Sequence, residues 1–436
     1  MTDDYVIGVA NSPLEVDGAA WDALLQTQSN PSPFMRHAYL AALHASGSAS
    51  PRTGWTPHCI TLHQAGELVA ACMVYEKAHS YGEYVFDWAW ANAYAQHGLA
   101  YYPKAVSAVP FTPVPGARLM ARDPAARAAL LQAMLQWCKQ SGMSSLHLLF
   151  VEDEDASTCA QAGLMLRHTV QFHWKNIAPT LVASRTALPP EGVHFALVRT
   201  RQSTDDKGRP GGETTQPTPF RDFDAFLQSL SQDKRKKIRQ ERRKVADAGV
   251  RFRSAQGRDI TASDWDFFYN CYERTYLEHG NAPYLNRDFF TRMADTMAEH
   301  WLLFVAERNG TPIASSLIAI DSYPTRASGQ NDSNDLVKVA YGRYWGALER
   351  VDCLHFEACY YQPLQWCIEH GYQRFEGGAQ GEHKMARALL PVKTTSAHWL
   401  AHPAFADAVA RFLEREGEGI AGYLDELGQR SPFRHG

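Results

Sequence analysis

The order of strand and helix patterns repeats in the two halves of the chain, and this repetition limits the fold more than any other feature. In the first half, a hairpin pattern at 57–76 leads through a short apolar strand to an amphipathic helix over 123–140 and two further strands. In the second half, a hairpin pattern at 302–320 precedes a strand, a helix over 361–370 and a strand at 373–376. Helices that connect strands of one sheet are typical of α/β proteins. The sequence therefore predicts an α/β fold with a mixed sheet, built from two tandem copies of one unit.

The length of the chain supports two units, because 436 residues exceed what one hydrophobic core usually organises. A hydrophobic content of 45% and a charged content of 21% are typical of a globular protein. The net charge of −4 does not favour general binding to nucleic acid or to membranes, and no apolar run approaches the ~18 residues of a membrane span. An acidic start without an apolar signal core predicts a cytoplasmic protein, in which the eight cysteines are expected to be reduced.

A polar segment separates the two predicted units. Residues 181–219 are rich in Gly, Pro and Thr, which is typical of a linker or an inserted loop. We therefore expect an N-terminal unit at 1–180 and a C-terminal unit at 220–436. The C-terminal unit opens with a basic helix over 232–246, in which eight of twelve consecutive residues are Lys or Arg. Arg239 and its neighbours predict a clamp for a phosphorylated or carboxylated ligand, with a solvated charged helix or a nucleic-acid patch as the alternatives.

The stretch 375–391, FEGGAQGEHKMARALLP, combines glycines with ionisable side chains. Gly377 and Gly378 allow the backbone to approach a ligand closely or to adopt positive φ. The ionisable residues that follow are Glu382, His383, Lys384 and Arg387. Such groups directly behind a glycine bend predict a reaction centre. A turn with a solvated charge cluster is the simpler alternative.

A second glycine turn lies in the first half, at 113–118, shortly before the amphipathic helix. The N-terminus of a helix presents free N–H groups and the positive end of the helix dipole. Gly116 and Arg118 are therefore candidates for holding a pyrophosphate, although the segment could simply be a turn.

Several segments resemble one bacterial protein family. A paired hairpin followed by strand, glycine turn, helix and strand is similar to the GNAT N-acyltransferase fold, and two such units joined by a basic helix resemble the Fem-type aminoacyltransferases. The whole chain is similar to the FemAB-like family of peptidoglycan biosynthesis/recognition. The stretches that carry this resemblance are 97–120, 234–245, 283–290, 342–346, 354–362 and 375–391. The chain departs from the family in its long polar segment 176–219 and in Ala388-Leu389, where Gly-Phe would be expected.

The resemblance implies an N-acyltransferase that moves an acyl or aminoacyl group to an amine. The donor would be a thioester (acyl-CoA) or an aminoacyl-tRNA, used as a co-substrate, with no permanently bound cofactor. The acceptor would be a peptidoglycan precursor or an amino-acid-like metabolite. An acyl-CoA donor would use the turn at 113–118, whereas an aminoacyl-tRNA donor would use the basic helix.

The proposed reaction needs a base, because an amine of pKa ~10 must lose a proton before it attacks. Glu382 and His383 are the first candidates for this base. The second candidates are His355 and Glu357, which are predicted on a short strand at 354–357. Each has a structural alternative, since Glu382 could only pair with a neighbouring cation and His355 could be a core histidine.

Other groups would complete the reaction centre. Backbone N–H groups around Gly377 and Gly378 would stabilise the oxyanion. Lys384 would neutralise a carboxylate or a phosphate of a ligand. Tyr360 or Tyr361 would protonate a leaving thiol, or would only pack.

A non-catalytic protein that binds peptidoglycan or a peptide is the alternative function. Its aromatic platform would consist of Trp88, Trp90, Tyr101 and Tyr102. No metal site is expected, because no third ligand has a fixed spacing to His355 and Glu357. Retained acyl transfer would distinguish the enzyme from the binding protein.

Overall fold

The computed structural model describes residues 5–178, 218–324, 336–379 and 381–434. Most of the predicted linker, residues 181–217, lies outside the described residues. The predicted unit boundaries around it therefore stay predictions.

One mixed sheet of thirteen strands connects the two halves of the chain. The strands of the first half are β1 (Val6–Ala10), β2 (Trp55–Gln64), β3 (Glu67–Lys77), β4 (Lys104–Ser107), β5 (Met120–Ala121), β6 (Ser145–Val151) and β7 (Met165–Lys175). The strands of the second half are β8 (Val250–Gln256), β9 (Trp301–Arg308), β10 (Thr311–Pro324), β11 (Leu336–Ala347), β12 (Arg374–Ala379) and β13 (Leu390–Leu400). Their order is β1-β2-β3-β4-β6-β13-β7-β12-β11-β10-β9-β8, with β5 beside β3.

The strand order confirms a duplicated α/β unit and shows that the two copies exchange strands. The order reads the same from either edge towards the centre, where β13 and β7 are antiparallel neighbours. The last strand of the second half, β13, pairs with β6 of the first half, and β7 of the first half pairs with β12. Each copy therefore completes the sheet of the other, which makes one continuous sheet from two repeated sets of strands.

Helices cover both faces of this sheet. Those of the first half are α1 (Gly18–Gln26), α2 (His37–Ala45), α3 (Trp88–Gln96), α4 (Pro124–Gln140) and α5 (Asp153–Gln161). Those of the second half are α6 (Phe223–Ser229), α7 (Gln232–Asp247), α8 (Ala262–Glu278), α9 (Arg287–Thr296), α10 (Leu354–Phe356), α11 (Gln362–Glu369) and α12 (Pro403–Gln429). A single π-helical turn, Glu357–Tyr361, joins α10 to α11. None of the helices in the described parts of the chain is both long and apolar enough to span a membrane.

Local sequence explains the helices that were predicted. Asp123 caps α4 by accepting a hydrogen bond from the backbone N–H of Ala126, and Pro124 occupies the first turn, where no N–H is needed. The basic helix forms as α7, which buries Ile238 and Val245 and leaves most of its cations exposed. The long amphipathic helix α12, which packs on β7 and β13, was not predicted.

The predicted strand at 354–357 is wrong. These residues begin the continuous helical segment α10, π-turn and α11, because Leu354, Ala358 and Tyr361 face the core at helical spacing. A π-turn widens one turn of a helix and often occurs at functional sites. His355 and Glu357 therefore do not alternate on a strand, and they point to different surroundings.

The two halves share their largest hydrophobic core. On one face of the sheet, Tyr39 of α2 contacts Phe289 of α9 edge to face, with ring centroids 5.3 Å apart. On the opposite face, Tyr360 and Leu364 pack against Phe375 in a separate core. The first core joins the halves, and the second core packs the π-turn against β9 and β10.

Candidate active site

The parallel strands β11 and β12 form a fork. They pair over three residue pairs, and the pairing ends where Tyr341 lies opposite Glu376. The register of β11 against β10 shifts at Arg343, and the register of β12 against β7 shifts around Gly377 and Gly378. Beyond Tyr341 and Glu376, β11 and β12 are the two prongs of the fork, and within the described residues no strand fills the gap between them. Such bulges redirect side chains and are frequent beside functional sites.

A cavity lies on each face of the sheet at this fork. The larger cavity has a volume of about 340 Å³ and lies on the side of α8 and of the first half of the chain. The smaller cavity has a volume of about 140 Å³ and lies under the π-turn. Four residues line both cavities, namely Gly342, Arg343, Tyr344 and Gly377. The cavities therefore meet at the fork.

Aromatic side chains from both halves form the wall of the larger cavity. They are Tyr81, Tyr84, Phe86, Trp88, Phe111, Tyr276, Tyr284 and Tyr344. Among the described residues that line this cavity, Arg343 is the only charged one. Its Nη2 donates a hydrogen bond of 2.9 Å to the carbonyl oxygen of Phe111, and its guanidinium lies 5.4 Å from the ring centre of Tyr344. This cavity therefore suits a ligand with apolar or ring surfaces.

His355 lines the smaller cavity, and more than a third of this residue is exposed to solvent. Loss of hydration and the nearby His383, Arg387 and Lys384 lower the pKa of His355 to about 4. At neutral pH this imidazole is uncharged and has a free lone pair, and its lowered pKa makes it a weaker base than a free imidazole. His355 is therefore the described side chain of this cavity that is best suited to act as a base.

Tyr360 connects the smaller cavity with the glycine stretch. It lines the cavity beside Cys359, and its hydroxyl lies 3.4 Å from Nε2 of His383. Burial raises the pKa of Tyr360 above its usual value. Burial, then Arg387 and Lys384, lower the pKa of His383. The tyrosine thus stays protonated and can donate a proton within this cavity.

Lys384 supports the glycine bend from below. It lies in the 3-10 helix Glu382–Arg387, and its Nζ donates hydrogen bonds to the carbonyl oxygens of Gly377 at 2.6 Å and Gly378 at 3.3 Å. Burial lowers the pKa of Lys384 to about 8, although Cys359 opposes this shift. A Cβ atom on Gly377 would lie 2.8 Å from the carbonyl oxygen of Phe172, so this position requires glycine. Lys384 therefore shapes the bend, which is a different role from the predicted contact with a ligand's anion.

Glu382, a first candidate for the base, lies outside both cavities. Its carboxylate is about half exposed and accepts a hydrogen bond of 2.9 Å from Tyr423, with Arg430 at 3.3 Å. Both partners belong to the C-terminal region around α12. The other first candidate, His383, is exposed but reaches the hydroxyl of Tyr360. The structure thus brings His383 to the edge of the site and leaves Glu382 on the outer surface.

Two further candidates, Glu357 and Tyr361, are buried and have partners away from the fork. Glu357 accepts hydrogen bonds from Arg242 at 3.1 Å and from Gln362 at 2.7 Å. Tyr361 donates a hydrogen bond to Glu241, which also accepts one of 2.8 Å from Arg387. These contacts join α7 to the π-turn and to the glycine stretch. They indicate structural roles for both candidates.

The predicted pyrophosphate site in the first half is closed. Arg118 is only 1% exposed, and its guanidinium donates hydrogen bonds to the carbonyl oxygens of Leu149 at 2.9 Å and Val114 at 2.6 Å. The backbone N–H of Gly116 donates to Phe150 at 3.1 Å. Burial lowers the pKa of Arg118 to about 10. Because Arg118 is buried and its Nε and Nη2 already bind carbonyl oxygens inside the protein, Gly116 and Arg118 do not form an open anion site.

Arg239 and most of the predicted aromatic platform also lie apart from the fork. Arg239 is exposed on α7, with its guanidinium 3.9 Å from Asp224. Of the four platform residues, Trp88 lines the larger cavity, whereas Trp90 and Tyr101 are buried beside α12. The platform therefore does not form as predicted, and Trp88 joins a different set of aromatic residues.

Sequence reasoning missed the β11 side of the fork. The segment 342–346, GRYWG, carried the family resemblance but received no role. Its first glycine lets Phe375 approach, because a Cβ atom on Gly342 would lie 2.8 Å from the Phe375 ring. Its second glycine lets α8 approach, because a Cβ atom on Gly346 would collide with the carbonyl oxygen of Cys271. Two glycines inside a strand are an available signal for such close contacts.

Solved structures with a similar fold are distant in sequence. The C-terminal domain of a putative lysylphosphatidylglycerol synthetase from Agrobacterium fabrum has 12% identity and a TM-score of 0.48, covering 91% of this chain and 96% of that chain. FemX has 10% identity and a TM-score of 0.47, covering 91% and 98%. A tandem GNAT protein from the clavulanic acid biosynthesis pathway has 10% identity and a TM-score of 0.42, covering 92% and 99%. Likenesses at this level carry no inference about chemistry.

A family profile matches most of the sequence, whereas no curated protein matches it. The profile is that of the FemAB-like family, described as peptidoglycan biosynthesis/recognition, and it matches residues 12–180 and 215–435. The two matched stretches contain every strand except β1 and every residue of the fork. The chain therefore belongs to the FemAB-like family of peptidoglycan biosynthesis/recognition.

Proposed function

We propose that this protein transfers an acyl group from a thioester donor to an amine, and that the bonds change at the fork between β11 and β12. The observation that carries the proposal is the pair of cavities that meet at the fork, with the uncharged His355 in the smaller one. Two substrates can reach a common point from opposite faces of the sheet. Family membership supports an amine of a peptidoglycan precursor as the acceptor.

The shape of the fork favours an extended donor arm that carries amides. Where parallel strands part, an inserted chain can pair with the exposed backbone groups as an added strand would. The pantetheine arm of an acyl-CoA has amide groups and ends in the thioester. An aminoacyl-tRNA presents its ester directly on a ribose, without such an arm. The fork therefore supports acyl-CoA more strongly than aminoacyl-tRNA as the donor.

The reaction follows from the residues around the smaller cavity. The acceptor enters as the free amine and attacks the thioester carbonyl carbon, and His355 accepts the proton that the nitrogen loses as the amide forms. The C–N bond forms, the C–S bond breaks, and Tyr360 donates its proton to the leaving thiolate. The backbone N–H groups of the glycine bend stabilise the oxyanion of the intermediate. His383, which lies beside the Tyr360 hydroxyl, is placed to return a proton to it.

The test measures acyl transfer from radiolabelled acetyl-CoA and longer acyl-CoA donors to amine-bearing muropeptides. His355→Ala is expected to lower kcat by about 10²- to 10⁴-fold, as loss of a general base does. Glu382→Gln is the matched control and is expected to leave turnover unchanged, because Glu382 lies outside both cavities. Equal turnover in the His355→Ala variant and the wild type would refute the proposed centre. Binding of muropeptides without transfer from any donor would instead support the non-catalytic alternative.

A further inference from the structure

A second groove lies behind the helical segment that carries His355. It has a volume of about 490 Å³ and runs between α6, α7, β8 and the π-turn. None of the residues that line it among the described parts of the chain also lines a cavity of the fork. Its walls are partly apolar, with Phe223, Leu227 and Phe252. Its size is that of a small-molecule site.

Three arginines line this groove, and two of them, Arg239 and Arg243, have guanidinium groups that can bind a ligand. Arg242 is already held, because it donates hydrogen bonds to Glu357 and Gln365 and covers the ring of Phe223. Arg239 lies 3.9 Å from a carboxylate oxygen of Asp224, a distance too long for a hydrogen bond. Arg243 forms no hydrogen bond or ion pair with any residue that the structure describes. Both lie on the groove wall one helical turn apart.

One buried acceptor also faces this groove. The side chain of Glu357 is only 5% exposed, and its Oε1 accepts the hydrogen bonds from Arg242 and Gln362. Its Oε2 is buried and has no hydrogen-bond partner among the described residues. A buried carboxylate oxygen without a partner is costly, and a ligand bound in this groove could supply the donor that the described residues lack.

We propose that this groove binds a small anionic ligand that carries a hydrogen-bond donor near its anionic group. Arg239 and Arg243 hold a phosphate or a carboxylate through charge-assisted hydrogen bonds. The ammonium or hydroxyl group of the ligand donates to Oε2 of Glu357, and its apolar part lies against Phe252. This groove is separate from the proposed site of acyl transfer at the fork, and the test of one proposal does not depend on the other.

The test uses isothermal titration calorimetry on the full chain with four probes. O-phosphoethanolamine combines a phosphate with an ammonium group, and inorganic phosphate is its control without the ammonium group. β-Alanine combines a carboxylate with an ammonium group, and acetate is its control. We expect one of the ammonium-bearing probes to bind at least fivefold more tightly than its simple anion. Preference for O-phosphoethanolamine would identify a phosphate ester as the ligand class, and preference for β-alanine an amino acid.

Charge-matched variants separate the groove from general electrostatics. Arg239→Gln and Arg243→Gln are each expected to weaken binding of the preferred probe about tenfold, because each removes a charge-assisted bond. Lys237→Gln removes the same charge from the exposed side of α7, outside the groove, and is expected to change the affinity less than twofold. Absence of binding by all four probes at millimolar concentration would overturn the proposal. Equal weakening by Lys237→Gln would overturn it as well.

Discussion

The two halves of the molecule contain the same strand fork, but only one of the forks is open. In the first half, β4 and β6 pair in parallel over three residue pairs that end at Ser107 and Leu148. In the second half, β11 and β12 also pair over three and then part. The first fork is filled by its own chain, because Gly116 returns to pair with Val151. The second fork is flanked by two cavities.

This difference shows how one repeated fold can provide both a site and a support. In the first fork, the chain occupies the place beside β6 that an inserted ligand would need, and Arg118 secures it from the interior. In the second fork, both strands carry a glycine where a Cβ atom would collide with neighbouring groups, namely Gly342 and Gly377. Duplication therefore supplied two equivalent gaps, and the residues that follow each strand decided their use.

The largest expected effect is the loss of kcat when the proposed base at the open fork is removed. His355→Ala removes the base of the open fork and is expected to lower kcat by about 10²- to 10⁴-fold with a smaller change in KM. Steady-state acyl transfer at saturating donor measures both constants. A change in KM without a change in kcat would mean that His355 only binds substrate. The open fork would then not be the place where His355 acts as a base.

Arg118→Met tests the closed fork. The substitution leaves the carbonyl groups of Leu149 and Val114 without their donor, so we expect the free energy of unfolding to fall by about 3 kcal/mol. Urea unfolding followed by tryptophan fluorescence measures this change. The affinity for acyl-CoA is expected to stay within twofold of the wild type. A large loss of donor affinity with unchanged stability would show that the first fork binds the donor after all.

Gly377→Ala distorts one side of the open fork. The added methyl group meets the carbonyl oxygen of Phe172, so we expect the free energy of unfolding to fall by about 1–3 kcal/mol. In contrast to Arg118→Met, donor affinity should fall at least tenfold, because the prong can no longer approach the donor arm. Gly422→Ala, at an exposed position of α12 where no atom outside the local helix backbone lies within 4 Å of the added Cβ, serves as a control for adding a methyl group at a glycine. Donor binding that survives Gly377→Ala would place the donor elsewhere.

The smallest expected effect is on the pH dependence of stability. The pKa of His355 is about 4 in the folded protein and ~6.5 in an unfolded chain. Between these values the unfolded chain binds the proton and the folded protein does not, so His355 makes stability fall as the pH falls. His355→Gln should therefore lose less thermal stability than the wild type between pH 7 and pH 4. An unchanged slope would show that the imidazole is not held in its neutral form at the fork.

Much of the fold could be predicted because period and capping signals are local. Asp123 and Pro124 predict the start of α4, and the turn at Gly310 predicts the β9–β10 hairpin. The exchange of β7 and β13 could not be predicted, since strand pairing between distant segments leaves no local pattern. The strand predicted at 354–357 was wrong because four residues are too few to separate a period of two from one of 3.6.

The candidate site was predicted only in part, for a similar reason. The glycine bend at Gly377 and the histidines His355 and His383 were found because their residue types suggest chemistry. Glu382 suggested chemistry equally well, but its partner Tyr423 comes from a helix that the sequence reasoning did not include. The aromatic residues beside Arg343 come from both halves of the chain. They lie close together only because the two halves share one core, and the sequence shows no local sign of this.

Hydrogen–deuterium exchange with a bound donor tests most directly whether a single fork is used. The probe is a non-hydrolysable thioether analogue of acetyl-CoA at saturating concentration. Our account predicts slower exchange in peptides that cover 339–347 and 374–378, with no change in peptides that cover 104–118. Slower exchange at 104–118, with the peptides of β11 and β12 unchanged, would contradict it.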